Sequence, residues 1–365
     1  MVATGGIINN QEYIGLVERL TDILGNGSGQ TGYGQRVLCS ENYGAIGNLL
    51  VQNDHWNALR TDINKAYNHQ TGGASGITSI DNGAIIGADA SGTSVTRISG
   101  TDTFTINGTN TLEGVNDFDT KITQIESSAN SIAAGQFDLT TGRQAVNSSR
   151  TTPWGVNNIN IMVYSEFTVE FEGGYTTTNS SGTSMTASAT DHRRHFFNAG
   201  GEIRLSAGLT GSTAKDSDWG TLLGNMGQVI FGKNATTNGT GTGRARDGST
   251  NVDNVGGIES ALGNYQATTG YQLIFQKNGS QAEYAENLVA IYVKRNNTAT
   301  TLTFLFEFYD NDSGDQTGIG PGVDENVLSG GGSHFCGLDF KRPNAANGVD
   351  IPAPAVAVQT ELRLT

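Results

Sequence analysis

The chain has 365 residues, 51 of them glycine, and a formal net charge of −14. That charge argues against a nucleic-acid-binding protein, which needs a basic face to displace counterions from phosphates. No apolar run is long enough to insert in a membrane, and the N-terminus lacks the features of a signal peptide. Abundant Gly, Thr, Asn and Ser with 14 Phe and 11 Tyr is typical of a loop-rich β protein.

Residues 1–72 are predicted to be helical and to form a docking region. Residues 10–24 carry apolar side chains at helical spacing, among them Tyr13, Val17 and Leu20. A second helix is expected over 40–51, and a third after Asp54, which is a suitable N-cap. Their apolar faces favour packing on each other and on a neighbouring subunit.

Residues 73–116 form a Gly/Thr/Asn-rich tract that is either a linker or a small β insertion. The stretch 117–135 that follows is predicted as an amphipathic helix. Phe118, Ile122, Ile125 and Ile132 recur there at spacings of four, three and seven, which is the stripe of a helix that faces another helix. These residues, with Tyr13, Val17 and Leu20, are the predicted interface between copies of the chain, and packing of the helix on its own domain is the alternative.

Residues 192–232 are expected to form the centre of the β-rich part. Residues 194–197 and 202–207 resemble two short strands separated by an Asn/Gly cluster, which predicts a hairpin. A short helix carrying Trp219 follows, with Asp216, Ser217 or Asp218 as its cap, and residues 228–231 return to strand.

Further strands are predicted over 159–171, 271–276, 288–294, 302–309 and 356–364, most of them with apolar residues on one face. This many strands without long helices between them predicts a mainly β fold. We therefore expect an antiparallel β-sandwich or jelly-roll-like domain over 136–365, preceded by the small helical region. Long loops near 173–190, 233–257 and 310–333 would project from its ends.

The candidate metal site is a calcium loop formed by Asp310, Asp312 and Asp315, because alternate carboxylates around a glycine can wrap oxygen ligands about this ion. A turn that needs Asp, Asn and Gly for conformational reasons is the alternative. On strands, His192 and His195 would point to opposite faces, which is poor for a shared metal. His334 and Cys336 are interpreted as a structural pair, and Cys39 and Cys336 as free thiols.

No nucleophile elbow or phosphate-binding loop is present, so no catalytic residue and no cofactor other than calcium is predicted, and the chain is interpreted as a non-enzyme. Paired carboxylates for glycoside hydrolysis stay open, because their pairing is spatial. An enzyme such as a glycan depolymerase is therefore the weakest alternative.

Three places in the sequence carry a resemblance: Tyr33-Gly34-Gln35 with His55-Trp56-Asn57 and residues 59–63; Thr152-Pro153-Trp154; and residues 195–204 with Trp219-Gly220 after them. On these, the chain resembles virion structural proteins of tailed bacteriophages, particularly of large marine, cyanophage-like myoviruses. The resemblance implies a copy-rich component of the tail, neck or a fibre-like appendage, made in the host cytoplasm and located in the virion.

Two functions follow as expectations. The first is a self-associating virion structural protein, whose partners are other copies of itself and other virion proteins. The second is a receptor-binding module of a tail fibre, in which loops of the sandwich grip a host-surface glycan. Neither function requires nucleic acid or membrane insertion.

Overall fold

The structure is a computed structural model. It describes residues 10–41, 51, 53–77, 79–80, 97–99, 102–104, 115–154, 161–173, 175–178, 184–238, 256–258, 261–279, 287–310, 327–344 and 348–364. Two six-stranded sheets dominate it, and every strand pairing in these ranges is antiparallel. The predicted mainly β class is confirmed, and the helices are few.

The helices of the described residues are α1 (Asn10–Leu24), α2 (Leu38–Glu41), α3 (Asn53–Thr71), α4 (Val115–Ser127), α5 (Ala189–Asn198) and α6 (Ala214–Met226). Helix α1 covers the predicted residues. The expected helix over 40–51 is replaced by the single turn of α2, and residues 42–50 lie outside the described residues. Helix α3 begins at Asn53, so Asp54 lies in its first turn and is not the N-cap.

The strands are β1 (Arg97–Ser99), β2 (Asp102–Phe104), β3 (Phe137–Leu139), β4 (Val146–Arg150), β5 (Ile161–Glu170), β6 (Thr176–Thr178), β7 (Ser184–Thr186), β8 (Glu202–Gly211), β9 (Gln228–Phe231), β10 (Thr236–Asn238), β11 (Gly256–Ile258), β12 (Gln272–Asn278), β13 (Leu288–Arg295), β14 (Thr301–Asp310), β15 (Gly332–Pro343) and β16 (Ala355–Leu364). The strands predicted over 159–171 and after residue 270 are confirmed with small shifts of their ends. The Gly/Thr/Asn-rich tract contains the hairpin β1–β2.

The first sheet has the strand order β10-β9-β8-β15-β3, and β4 also pairs with β15. The second sheet has the order β11-β12-β13-β14-β5-β16. The chain crosses between the two sheets several times, since β5 and β16 belong to the second sheet while β4 and β15 belong to the first. At one edge they meet, because the Ser148 hydroxyl of β4 accepts from the amide of Leu362 in β16 at 2.9 Å.

The two sheets pack through their inner faces, where large apolar side chains alternate along each strand. Phe231 of β9 contacts Phe304 of β14 with ring centroids 5.3 Å apart. His334 of β15 lies edge-on against Phe308 at 4.3 Å. Both rings of each pair are fully buried, and burial of this kind contributes roughly 1.5–3 kcal/mol per large side chain. The hydrophobic layer between the sheets therefore holds them face to face.

Helices α1, α3 and α4 pack against one another in one layer. Trp56 of α3 packs edge-on against Tyr13 of α1 at 5.0 Å and against Phe118 of α4 at 5.1 Å. The layer joins the rest of the molecule through His69 of α3, whose Nε2 lies 2.9 Å from the carbonyl oxygen of Ala199, just after α5. The helical residues and the inner faces of the sheets belong to one continuous hydrophobic core.

Helix α4 is shorter than the predicted 117–135. It ends at Ser127, and the Ser/Asn-containing residues after it form turns, for example between the Ser131 amide and the Ser128 carbonyl. Serine and asparagine compete for backbone hydrogen bonds and so favour helix ends. Ile132 consequently lies outside the helix and packs against Gly200, where an added Cβ would be 3.0 Å from its Cγ2.

The predicted strand at 194–197 and its hairpin are wrong, because these residues lie in helix α5. The Ser188 side chain caps the helix by accepting from the Asp191 amide at 3.1 Å. Phe196 and Phe197 are both buried, so two adjacent large side chains belong to one broad inner face of the helix. Strand β8 then pairs with β9 and β15 instead.

Helix α6 confirms the predicted helix around Trp219, but its cap differs. Thr213 is the N-cap, and its hydroxyl accepts from the Asp216 amide at 3.0 Å. Asp216 completes a capping box by accepting from the Thr213 amide. The predicted caps were therefore three to five residues too late, although Asp216 belongs to the motif.

Candidate functional site

The outer face of the second sheet carries an unusual concentration of tyrosine and aliphatic side chains. In the β13–β14–β5 register, Leu288 lies opposite Tyr309, and Tyr309 opposite Met162. Four residues along, Tyr292 lies opposite Leu305, which lies opposite Glu166. Because strand side chains alternate between faces, these residues share the side that points away from the first sheet. We call this surface the tyrosine face; its members are Met162, Tyr164, Glu166, Tyr271, Leu273, Leu288, Tyr292, Lys294, Leu305, Glu307 and Tyr309.

Hydrogen bonds hold the polar groups of the tyrosine face in place. The Tyr309 hydroxyl donates to Glu307 Oε2 at 2.6 Å, and the Tyr271 hydroxyl donates to Glu166 Oε2 at 2.8 Å. The Lys294 ammonium lies 4.1 Å from the centre of the Tyr271 ring, which is a cation–π contact. The charges of this face are thus engaged by neighbouring tyrosines.

The tyrosines of this face keep their hydroxyl protons. Burial, reinforced by the Glu166 carboxylate, raises the pKa of Tyr271 well above its ordinary value. Burial and Glu307 do the same to the pKa of Tyr309 and of Tyr292. These phenols are therefore neutral donors near neutral pH, and the face presents rings, hydroxyls and aliphatic groups.

Tyr271 is the most exposed large side chain of the face, at 38%. The other tyrosines and Leu305 are half-buried by their neighbours on the sheet. The second sheet's strands lie about 4.8 Å apart and its ten-residue strands are about 33 Å long. The four strands that carry the face are seven to ten residues long, so they span roughly 550 Å², which is at the low end of what each partner contributes to a specific protein interface.

The outer face of the first sheet is different. Asp339 of β15 accepts from the backbone amides of Arg143 and Gln144 at 2.8 and 2.9 Å, so the segment between β3 and β4 is tied to this face. The Arg143 guanidinium lies 3.9 Å from the centre of the Phe335 ring. Farther along, Glu202 pairs with both Arg204 and Lys341. This face is charged and partly covered by the chain itself.

The predicted interface residues lie elsewhere. The structure buries Tyr13, Val17, Leu20, Phe118, Ile122 and Ile125 inside the chain's own core, each with at most 2% exposure. Their helical stripes face one another, as the Tyr13–Trp56–Phe118 contacts show. A side chain without exposed surface cannot meet a second copy, so these six residues are corrected to core residues. Ile132 is half-buried against Gly200.

The structure describes only one of the three residues of the predicted calcium site. Asp312 and Asp315 lie outside the described residues. Asp310 is buried, and its Oδ2 lies 3.1 Å from the ammonium of Lys215, which is also buried. In the described ranges, no three His, Cys, Asp or Glu side chains come together to hold a metal ion. The structure therefore gives Asp310 a structural role in an ion pair, and the calcium loop stays a prediction.

Sequence reasoning missed two side chains of α6 that contact the residues on either side of 311–326. Lys215 pairs with Asp310, which precedes this segment, and Asp216 Oδ1 accepts from the amide of Leu328, which follows it, at 2.7 Å. Neighbouring residues of α6 thus fix Asp310 and Leu328, the described residues on the two sides of 311–326. The acidic residues at the start of α6 were visible in the sequence, but their long-range partners were not.

Helix α5 brings both histidines to the same region, which corrects the opposite-face prediction. The His192 Nδ1 lies 2.8 Å from the Glu172 carbonyl oxygen, and the His195 Nδ1 lies 2.6 Å from the Tyr175 hydroxyl. Both rings contact one segment after β5, as expected for residues three apart on a helix. Their ring nitrogens are occupied by protein groups.

His334 and Cys336 point into the core between the sheets. The His334 ring packs on Phe308 and lies 5.1 Å from Trp154, and neither ring nitrogen has a hydrogen-bond partner among the described residues. Burial lowers the pKa of His334 to about 3, so the ring is neutral. Cys336 and Cys39 are both free, buried thiols, as predicted, and burial raises the pKa of each.

No protein-family model, curated protein or solved structure matches this chain. No described helix is long and apolar enough to cross a bilayer. The tyrosine face is the surface on which a functional proposal depends, because tyrosine and methionine, both present on it, are enriched in the cores of protein interfaces.

Proposed function

We propose that the chain is a non-enzymatic structural protein of a tailed-phage particle, as the sequence resemblance implies, and that it self-associates through the tyrosine face. The observation that carries the proposal is the composition of that face: tyrosine, leucine and methionine across neighbouring strands, with its carboxylates engaged by tyrosine hydroxyls. Tyrosine is a frequent anchor of protein interfaces.

The partner that fits best is a second copy of the chain. A molecule with a net charge of −14 repels its own copies, so a contact between copies is favoured where charge is low. On the tyrosine face, Glu166 and Glu307 lie among neutral side chains, and Lys294 supplies a positive charge beside Glu166 through Tyr271. Two copies would bury roughly 1,100 Å² in total, which is just above the lower limit of about 1,000 Å² for a specific contact.

A jelly-roll-like winding of the two sheets belongs to the same proposal. The chain passes from the first sheet to the second between β4 and β5, returns for β8 to β10, and crosses again around β15. Repeated crossing between two facing sheets supports such a winding, while the consecutive β12–β13–β14 meander is its simplest part. Assembly would build on the sheet that contains this meander.

The test is a charge placed in the centre of the face. Leu305→Lys puts an ammonium between Tyr292 and Glu166 at a half-buried site. We expect the wild type to form a defined oligomer at micromolar concentration, and Leu305→Lys to be monomeric in sedimentation velocity. The matched control is Thr210→Lys, an exposed residue of β8 on the other sheet, which should assemble like the wild type.

Two results would contradict the proposal: a wild type that stays monomeric at tens of micromolar, or a Leu305→Lys variant that assembles normally. Membership of a phage particle is tested separately, by mass spectrometry of purified virions. If the chain is absent from the virions, its role as a phage structural protein is wrong, and the sedimentation experiments still test self-association.

A second candidate function, binding of a host-surface glycan, is favoured by one observation. Glu166 and Glu307 are each oriented by a tyrosine hydroxyl, and an oriented carboxylate beside an aromatic ring can accept from sugar hydroxyls. Leu288, Leu305 and Met162 on the same face favour a protein partner over a sugar. The test is binding of the monomeric protein to a glycan array. Binding by the wild type that is lost in Tyr271→Ala would favour glycan binding over self-association.

A further inference from the structure

The most deeply buried ion pair of the described residues joins the two sheets. Lys215 lies in the first turn of α6, which packs on β8 of the first sheet, and Asp310 ends β14 in the second sheet. The Lys215 Nζ lies 3.1 Å from Asp310 Oδ2, and the two side chains are 3% and 4% exposed. An ammonium and a carboxylate are thus held in contact where almost no water reaches them.

Apolar rings enclose this pair. Trp219 lies one turn after Lys215 on α6, and Phe308 lies two residues before Asp310, on the same face of β14. The two rings pack edge-on with centroids 6.4 Å apart, and both side chains are fully buried. Burial destabilises charged groups relative to neutral ones. Transfer of a proton from the ammonium to the carboxylate, which leaves two neutral groups in contact, therefore costs less here than in water.

Asn287 orients the carboxyl group of Asp310. Its side chain is fully buried just before β13, with the amide nitrogen 3.0 Å from Asp310 Oδ1 and the amide oxygen 3.3 Å from Trp219 Nε1. The indole N–H donates to the amide oxygen, and the amide nitrogen donates to Oδ1. A donor fixed on one carboxyl oxygen stabilises the negative charge that develops there when the carboxyl carbon is attacked. The other oxygen, Oδ2, faces the lysine.

We propose that Lys215 and Asp310 condense to an isopeptide bond, which crosslinks the two sheets covalently in the folded protein. The ammonium first passes one proton to Oδ2. The neutral amine then attacks Cγ, and the charge that develops on Oδ1 is stabilised by Asn287. As the bond between Nζ and Cγ forms, the nitrogen gives up a second proton and the bond between Cγ and Oδ2 breaks. Oδ2 leaves as water.

This step balances without a further reactant. One ammonium and one carboxylate become one neutral amide and one water molecule, so the net charge of the chain is unchanged and no oxidant or nucleotide is consumed. In bulk water the reverse reaction, hydrolysis, opposes condensation. A fixed contact between the reacting groups and the exclusion of water favour the amide, which also removes two charges from the core.

A second lysine–carboxylate contact of the chain is an internal control. The Lys341 Nζ lies 2.9 Å from Glu202 Oε1, but these side chains are 13% and 22% exposed, and Arg204 binds the same carboxylate. Water reaches this pair, and no apolar layer encloses it. We therefore expect that Lys341 and Glu202 stay unlinked, although their contact is as short as that of Lys215 and Asp310.

The test is mass spectrometry of the full-length wild type after denaturation and digestion with trypsin. We expect one branched peptide that joins the sequences around Lys215 and Asp310, one water lighter than their sum, and none that joins Lys341 to Glu202. A succinimide at Asp247-Gly248 would lose the same mass but link no peptides. Recovery of the Lys215 and Asp310 peptides unlinked would overturn the proposal, and this measurement requires no variant to fold.

Two variants sharpen the result. Lys215→Arg keeps the positive charge but should lack the branched peptide, and a branched peptide at Asp310 in this variant would overturn the assignment of the lysine. Asn287→Ala removes the donor to Oδ1 and should slow crosslinking by roughly 10²-fold. Cell-free synthesis followed by digestion at successive times measures that rate. Crosslinking of Asn287→Ala at the wild-type rate would contradict the role of Asn287.

Discussion

The two sheets pack on one hydrophobic core, but the side chains of their outer faces are arranged differently. On the first sheet, Asp339 and Phe335 contact Arg143 and Gln144 of the segment between β3 and β4. Glu202 on the same face forms ion pairs with Arg204 and Lys341. On the second, the tyrosine face presents half-buried rings and aliphatic groups without such a covering segment among the described residues. The first sheet's outer face is completed by its own chain and contributes to stability, whereas the tyrosine face is the surface on which the proposed self-association depends.

The largest expected effect that would test this difference comes from Asp339. Asp339→Ala removes the acceptor of the Arg143 and Gln144 amides at a buried site, which should lower the free energy of unfolding by about 2–3 kcal/mol. The oligomeric state of the folded fraction should not change. Denaturant unfolding and sedimentation velocity measure the two quantities, and Asp339→Asn, which keeps one acceptor oxygen, is the matched control. A folded variant that no longer assembles would contradict the view that the first sheet's outer face contributes to stability and not to self-association.

A smaller effect is expected in the shared interior. His334 has no partner for either ring nitrogen among the described residues, so His334→Leu should raise the free energy of unfolding by about 1–2 kcal/mol near neutral pH. Burial lowers the pKa of His334 to about 3, so its contribution is lost as pH falls from about 6.5 towards 3.

The stabilisation by His334→Leu should therefore grow in acid, and calorimetry at several pH values measures it. Because the interior serves both sheets, assembly should be unaffected. A destabilised His334→Leu variant would instead indicate that the ring nitrogens are satisfied by ordered water.

The smallest expected effect is that of Glu202→Gln on the charged face. The carboxylate contacts Arg204 at 2.8 Å and Lys341 at 2.9 Å, but partly exposed pairs contribute only about 0–1 kcal/mol. We expect a change of that size in chemical denaturation and an unchanged oligomer. An effect as large as that of Asp339→Ala would mean that the first sheet's outer face depends on its ion pairs.

Where periodicity was regular, the sequence predicted the structure well. Helix α1 and strands β13 and β14 fall close to their expected positions because their apolar residues recur at one spacing. Helix α5 was misassigned because two adjacent phenylalanines and a following Asn/Gly cluster resemble a strand and turn. Its start was nevertheless marked by Ser188 three residues before Asp191, a capping pattern.

The central strand β15 was missed because His334 and Cys336 did not count as apolar residues, although both are buried at alternate positions with Leu338 and Phe340. The interface prediction failed for another reason. A helical stripe shows that a face is buried, but not whether its partner lies in the same chain or in another. The tyrosine face has no motif, since its members come from separate strands and meet only through the sheet register.

The contacts of helix α6 with the residues before and after 311–326 have a practical consequence. Lys215 fixes Asp310, and Asp216 fixes Leu328, so adjacent positions of one helix set the separation of the two attachment points. Helix α6, and not the sixteen residues 311–326, therefore sets the distance between Asp310 and Leu328. We therefore expect that a peptide tag exchanged for 311–326 would leave the contacts of Asp310 and Leu328 with this helix in place.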